Sequence, residues 1–183
     1  MQHTPANLNS RTLSWTQRLV LMTAMGVLAL AASSHLVLPG PGGVPISFAP
    51  FVVMMIGLTY SRWQIVATFA SFLTLGALGA PVFSPLSAGL VGPTGGYLMA
   101  YGVAAYLMAT LRHQWRFQSA ASYFVLGVVG IMTLYTVGWC WLHHVWQVPV
   151  TFWTTIKAFV LFDVVKAAVA AQLASRMRGR WNT

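Results

Sequence analysis

Residues 19–38 read LVLMTAMGVLALAASSHLVL, a run without Asp, Glu, Lys or Arg that follows directly on Arg18. A helix of about 20 apolar residues matches the hydrocarbon thickness of a bilayer, so this stretch reads as a membrane-spanning helix. Arg11 and Arg18 before it and the small residues Ala29-Leu30-Ala31 within it also resemble a cleavable leader. The run continues past that point to Leu38, and the rest of the chain is equally apolar, which favours a helix that stays in the protein.

Working outward, the same pattern recurs. The segment PGPGGVP, Pro39 to Pro45, breaks the first helix, and a second span is expected from Ile46 to Tyr60, with Pro50 near its start. That span is short, so it is expected to begin as irregular backbone shielded by neighbouring helices rather than by lipid. Further helices are expected at about Trp63–Ala80, Gly95–Leu111, Gln118–Leu142 and Phe152–Ser175, with a Pro-, Gly- and Ser-rich loop from Pro81 to Thr94. Across all 183 residues, 57% are hydrophobic and 6% charged, against about 25% charged in a soluble domain. Lipid is therefore the expected main solvent, and the expected fold class is all-α, an integral membrane bundle of six helices.

The placement of the basic residues orients that bundle. Arg11 and Arg18 precede the first helix, Arg62 lies between the second and third, Arg112 and Arg116 between the fourth and fifth, and Arg176, Arg178 and Arg180 follow the sixth. The segments 39–45, 81–94 and 143–151 hold no Lys or Arg. Short loops rich in Lys and Arg stay in the cytoplasm, so this alternation predicts six crossings with both termini inside. The expected organisation is a cytoplasmic segment 1–18, a transmembrane unit 19–175 and a basic cytoplasmic tail 176–183, in the plasma (inner) membrane. The net charge of +9 is spread over helix ends rather than gathered on a polar face, so no nucleic-acid partner is expected.

Asp163 is the only acidic residue of the chain and falls inside the expected sixth helix. A carboxylate at the centre of a membrane helix costs about 2.5–3.5 kcal/mol, so its presence there calls for a function or a partner. Lys166, three positions on, shares its helix face. The pair is a candidate polar site facing a cavity, and an internal ion pair that only fixes packing is the alternative. Lys157, nearer the outer end, is long enough to snorkel to the interface.

A second candidate lies at the entrance of the fourth helix, Gly92-Pro93-Thr94-Gly95-Gly96-Tyr97. Gly92, Gly96, Ala100 and Ala104 repeat at spacing four and form a row against which another helix can pack closely. Thr94, Gly95, Gly96 and Tyr97 offer backbone groups, a hydroxyl and a phenol to a small polar-tipped ligand. No Lys-Ser/Thr pair follows the glycines, so the segment is no phosphate loop and the chain has no ATP site of the usual kind. His143 and His144 lack a third metal ligand at readable spacing. Cys140, the single cysteine, excludes an intramolecular disulfide. Trp15, Trp63, Trp115, Trp146 and Trp181 near helix ends fit an interfacial belt, and His35 reads as a polar helix-end residue. No serine–histidine–acid set can be assembled, which disfavours an enzyme, and no cofactor is expected.

Taken in order, Val44-Pro45-Ile46-Ser47-Phe48, the stretch Gly76 to Phe83 (GALGAPVF), GPTGGY at 92–97 and Asp163-x-x-Lys166 resemble the biotin transporter BioY family. The resemblance covers nearly the whole chain. It implies a six-helix substrate-binding (S) component of an energy-coupling-factor transporter, taking biotin from outside with Asp163 and Lys166 in contact with it. It also implies a separate transmembrane coupling protein and cytoplasmic ATPase subunits as partners. The chain departs from the family pattern with Ala49 and Pro50 after the entry to the second helix, Phe162 before the aspartate, and only Ala29-x-x-x-Ser33 in place of an Ala-x-x-x-Ala row. The competing function is a membrane interaction or assembly subunit whose Asp–Lys pair is purely structural.

Overall fold

The computed structural model describes residues 13–38, 46–115, 119–149, 151–157 and 159–181. Arg11, the 39–45 segment with Val44 and Pro45, Arg116 and Gln118 lie outside the described residues, as do the side chains of Trp115, Arg178, Arg180 and Trp181. Helices dominate: α1 (Trp15–His35), α2 (Ala49–Thr59), α3 (Arg62–Ala77), α4 (Gly95–Trp115), α5 (Ala120–Cys140), α6 (Phe152–Ile156) and α7 (Val160–Trp181). One turn of π-helix, Trp141–Val145, extends α5.

The helix starts follow local chemistry. Ser14 and Ser61 each accept from the backbone N–H three residues on, while Gln17 and Gln64 reach back, a capping box at the head of α1 and of α3. α1 thus begins at Trp15, four residues before the apolar run. The second span does begin as extended backbone: β1 (Val37–Leu38) pairs antiparallel with β2 (Ile46–Ser47), and Phe48 then leads into α2, with Pro50 in its first turn. Pro is well placed there, because the N–H it lacks would have no helical partner.

The largest departure from expectation is at the sixth helix. Phe152–Ser175 is not continuous: α6 ends at Ile156, and a short bond from the Phe159 N–H to the Ile156 carbonyl precedes a new helix from Val160. The stretch 152–170 contains neither Gly nor Pro, so nothing in its pattern marks the break. Asp163 consequently sits in the first turn of α7 rather than at a helix centre. There the unpaired N–H groups and helix dipole favour a carboxylate by about 0.3–1 kcal/mol or more.

α4 packs on α5, α2 and α3, α7 on α5 and α2, and α1 on α3. The core is built of Leu30, Val53, Met54, Phe72, Met108, Leu126 and a small-residue stripe on α7, Ala167, Ala170, Ala171 and Ala174. Ala100 and Ala104 of the expected row are fully buried. The outside is apolar too: Leu28, Val66, Leu78, Val103, Val125, Leu161, Val165 and Leu173 are exposed on five of the helices or at their ends. A surface of this kind is stable in lipid rather than water. Two stretches, Trp15–His35 and Ala120–Val145, are individually long and apolar enough to span a membrane, and Ala49–Thr59 is a shorter apolar helix. On α1, Ser33 points inward, with its hydroxyl donating to Leu30, so Ala29 and Ser33 do not form an outward small-residue pair.

The end opposite the site is closed by Arg112. Its guanidinium donates to the carbonyls of Leu58 and Tyr60 (2.7 Å to Tyr60), which end α2 without helical partners.

Candidate functional site

α2, α4 and α7 begin, and α5 ends, at one end of the bundle, and polar groups from β2, α4, α5 and α7 converge there. Asp163 and Lys166, in the first two turns of α7, form an ion pair with Nζ 2.7 Å from Oδ1. They are 5% and 9% exposed, so the pair is nearly dry, and each charge needs bonded partners. Tyr135, in the penultimate turn of α5, donates its hydroxyl to Asp163 Oδ2 at 2.7 Å. The second partner of Lys166 is the carbonyl of Ser47 in β2, at 2.8 Å. Phe48 places its ring 6.0 Å from the ammonium, a cation–π contact on the half-exposed side of the site. Tyr101 of α4, itself buried, lies near the Ser47 side chain, and Tyr97 is close enough to Tyr101 and Tyr135 to interact electrostatically with both.

The other predicted segment lies beside this network and is held by different forces. Thr94 accepts through its carbonyl from the N–H groups of Tyr97 and Leu98, starting α4, and its hydroxyl is bonded to Ser87 at 2.8 Å. A methyl group on Gly95 would collide with the Leu90 carbonyl, and one on Gly96 with the Cβ of Trp141 in the π turn. Trp141 in turn donates its indole N–H to the Gly92 carbonyl at 3.0 Å, and Trp146 donates to Val91 at 3.2 Å. The Tyr97 ring lies on Gly138 of α5 in the same glycine-dependent way. Gly76 is the seat of the Phe83 ring, which meets Phe72 edge-on at 5.2 Å, so GALGAPVF also folds the 81–94 loop back on α3.

Of the predicted residues, Asp163, Lys166 and Tyr97 thus come together, whereas Thr94, Gly95 and Gly96 pack against Ser87, Leu90 and Trp141. Tyr135, Tyr101 and the Ser47 carbonyl escaped the sequence reading. Tyr135 is one of two phenols on α5, with Tyr123, and nothing in the sequence pointed to its partner 28 residues away. Lys157 caps α6 and is exposed, His35 bonds the Ala31 carbonyl at the end of α1, and the His143 ring stacks on Trp139 at 5.1 Å. Two open grooves, along α5 between Val128 and Val137 and along α1 between Thr16 and Ala24, contain none of the site residues.

The BioY family model matches residues 4–183. The chain is 31% identical over 141 residues to the probable biotin transporter BioY of Pyrococcus horikoshii, covering 75% of this chain and 83% of that one. It is 32% identical over 141 residues to the biotin transporter BioY of Thermotoga maritima, covering 75% and 82%. Among solved structures, the fold is similar to that described as the S-component for biotin from an ECF-type ABC transporter, with a TM-score of 0.77 at 22% identity, over 92% of this chain and 95% of that one.

Proposed function

The chain belongs to the BioY family, and on that premise we propose that it is the membrane-embedded component that captures biotin from outside and mediates its import. The observation that carries this reading is the unused bonding capacity of the Asp163–Lys166 pair. An ammonium has three N–H donors, and two are engaged by Asp163 and Ser47. A carboxylate accepts about four hydrogen bonds, and two positions are taken by Tyr135 and Lys166. Among the described residues one donor and two acceptor positions remain without a partner, the complement of a cyclic urea with its two N–H groups and one carbonyl oxygen. The ureido end of biotin therefore meets the pair, with Tyr97 alongside and Thr94, Gly95 and Gly96 forming the adjoining wall.

The helices are arranged as six crossings, with α6 and α7 together making the sixth and both termini cytoplasmic in the plasma membrane. Arg18, Arg62, Arg112 and Arg176 mark the inner end, and the 1–18 and 176–183 segments flank the 19–175 unit there. Power for concentrative import comes from a separate coupling protein and ATPase subunits, since the sequence has no phosphate loop. Labelling of Arg62→Cys or Arg112→Cys in a Cys140→Ala background by probes confined to the outside would refute this topology. Equilibrium binding of biotin to the purified protein in detergent tests the function itself: binding is expected to be tighter than micromolar and selective over other vitamins, and weak, unselective binding would overturn it.

One observation favours the alternative of a membrane assembly subunit, namely that Asp163 and Lys166 already satisfy one another and have protein partners besides. The double variant Asp163→Asn with Lys166→Met, which removes both charges, separates the two.

A further inference from the structure

Each member of the buried pair has a partner that the sequence motif does not contain. Asp163 holds two bonds on different oxygens: Lys166 takes Oδ1 and the Tyr135 hydroxyl takes Oδ2, both at 2.7 Å. A carboxylate bonded at one oxygen only remains free to rotate about its χ2 torsion, which is broad for a terminal sp³–sp² bond. Bonded at both, it is fixed in plane. We infer that Tyr135 is a positioning residue for ligand binding, holding the Asp163 carboxylate so that its remaining lone pairs face the ligand and not Lys166 alone. This rests on the biotin-binding reading above and adds to it a residue on a different helix.

The arrangement suits that task. Tyr135 is 5% exposed and is carried on α5, the helix most closely packed on α7. Its ring is therefore held by packing, and its hydroxyl donates from a fixed point. The donor on Asp163 also lowers the cost of keeping a carboxylate where water is scarce, because a bare Oδ2 would be a buried acceptor without a partner.

Tyr135→Phe removes only the hydroxyl and leaves the ring to fill its place in the bundle. A fortunate property of the sequence makes its effect readable: Asp163 is the one acidic side chain. With aspartate ¹³C-labelled at the side-chain carboxyl, the infrared carboxylate stretch of the full-length protein in detergent reports on this residue alone. The expected result for Tyr135→Phe is a shifted Asp163 band in the ligand-free protein together with biotin affinity weakened about tenfold or more. Tyr106→Phe, at a half-exposed phenol on α4, is expected to change neither. Unchanged affinity overturns the inference, and so does weakened affinity with an unmoved band, which would assign Tyr135 a packing role. If the parent protein failed to bind biotin, the import reading would fall by itself, and the ligand-free band would still decide whether Tyr135 holds Asp163.

Discussion

The two segments singled out from sequence meet at the same end of the bundle yet are built on opposite terms. Around Asp163 and Lys166, long side chains reach across helix boundaries and bond through charge, and on the proposed reading the bonding positions left without a partner among the described residues serve a ligand. Around Gly95 and Gly96, the requirement is for the lack of a side chain, because Leu90 and Trp141 occupy the space that a Cβ would need. The glycines of GPTGGY are thus required by a crowded backbone, whereas the pair is defined by the partners its charges find.

The contrast can be attacked at its strongest point first. Lys166→Met leaves the Asp163 charge buried beside a phenol and an apolar side chain, and breaking a buried pair costs about 3–5 kcal/mol. A clear fall in the thermal unfolding midpoint of the detergent-solubilised protein is expected, and unaltered stability would mean that water reaches the pair freely. The double variant Asp163→Asn with Lys166→Met removes both charges at similar volume, so stability should stay nearly level or improve. Biotin affinity should nevertheless fall by about 1.5–3 kcal/mol for each charge-assisted bond removed. A folded double variant that bound biotin like the parent would make the pair structural and move the search for the pocket to Thr94 and Tyr97.

The packed segment should respond the other way round. Gly95→Ala and Gly96→Ala force backbone or Trp141 to shift, at about 1–3 kcal/mol of overpacking and more where a carbonyl cannot yield. The loss should appear as lower stability and poorer yield of folded protein. Full stability with abolished binding in Gly96→Ala would erase the distinction and make this backbone a direct ligand wall. The smallest effect is expected from Thr94→Val, which gives up the bond to Ser87 and so about 1 kcal/mol of stability. Titrating biotin against that variant shows whether the hydroxyl serves the loop only.

Much of the architecture was legible because of how lipid acts on a sequence. Apolar runs, their punctuation by Pro39–Pro45 and Arg62, and the confinement of Arg to alternate connections all follow from the energy of moving single residues into hydrocarbon, a local and nearly additive quantity. That the second span starts with non-helical backbone was legible for the same reason, since 46–60 is short for a helix alone, but its pairing as a strand with Val37–Leu38 was not. The break between α6 and α7 was not, because no Gly or Pro marks it and an apolar period reads the same through a displaced helix start. Its consequence is direct: an aspartate that looks costly at mid-helix is well placed in a first turn.

By itself, then, the sequence determined the solvent, the helical class and the identity of the two charges that must find partners, because each is a property of residues close together in the chain. Only the tertiary structure decided who those partners are. Lys166 meets a backbone carbonyl 119 residues away, which no side-chain motif encodes, and Asp163 meets a phenol on another helix. It likewise decided that Gly95 and Gly96 are glycines for want of room, since crowding is set by how α4 lies against the π turn and the 81–94 loop rather than by the residues of the motif.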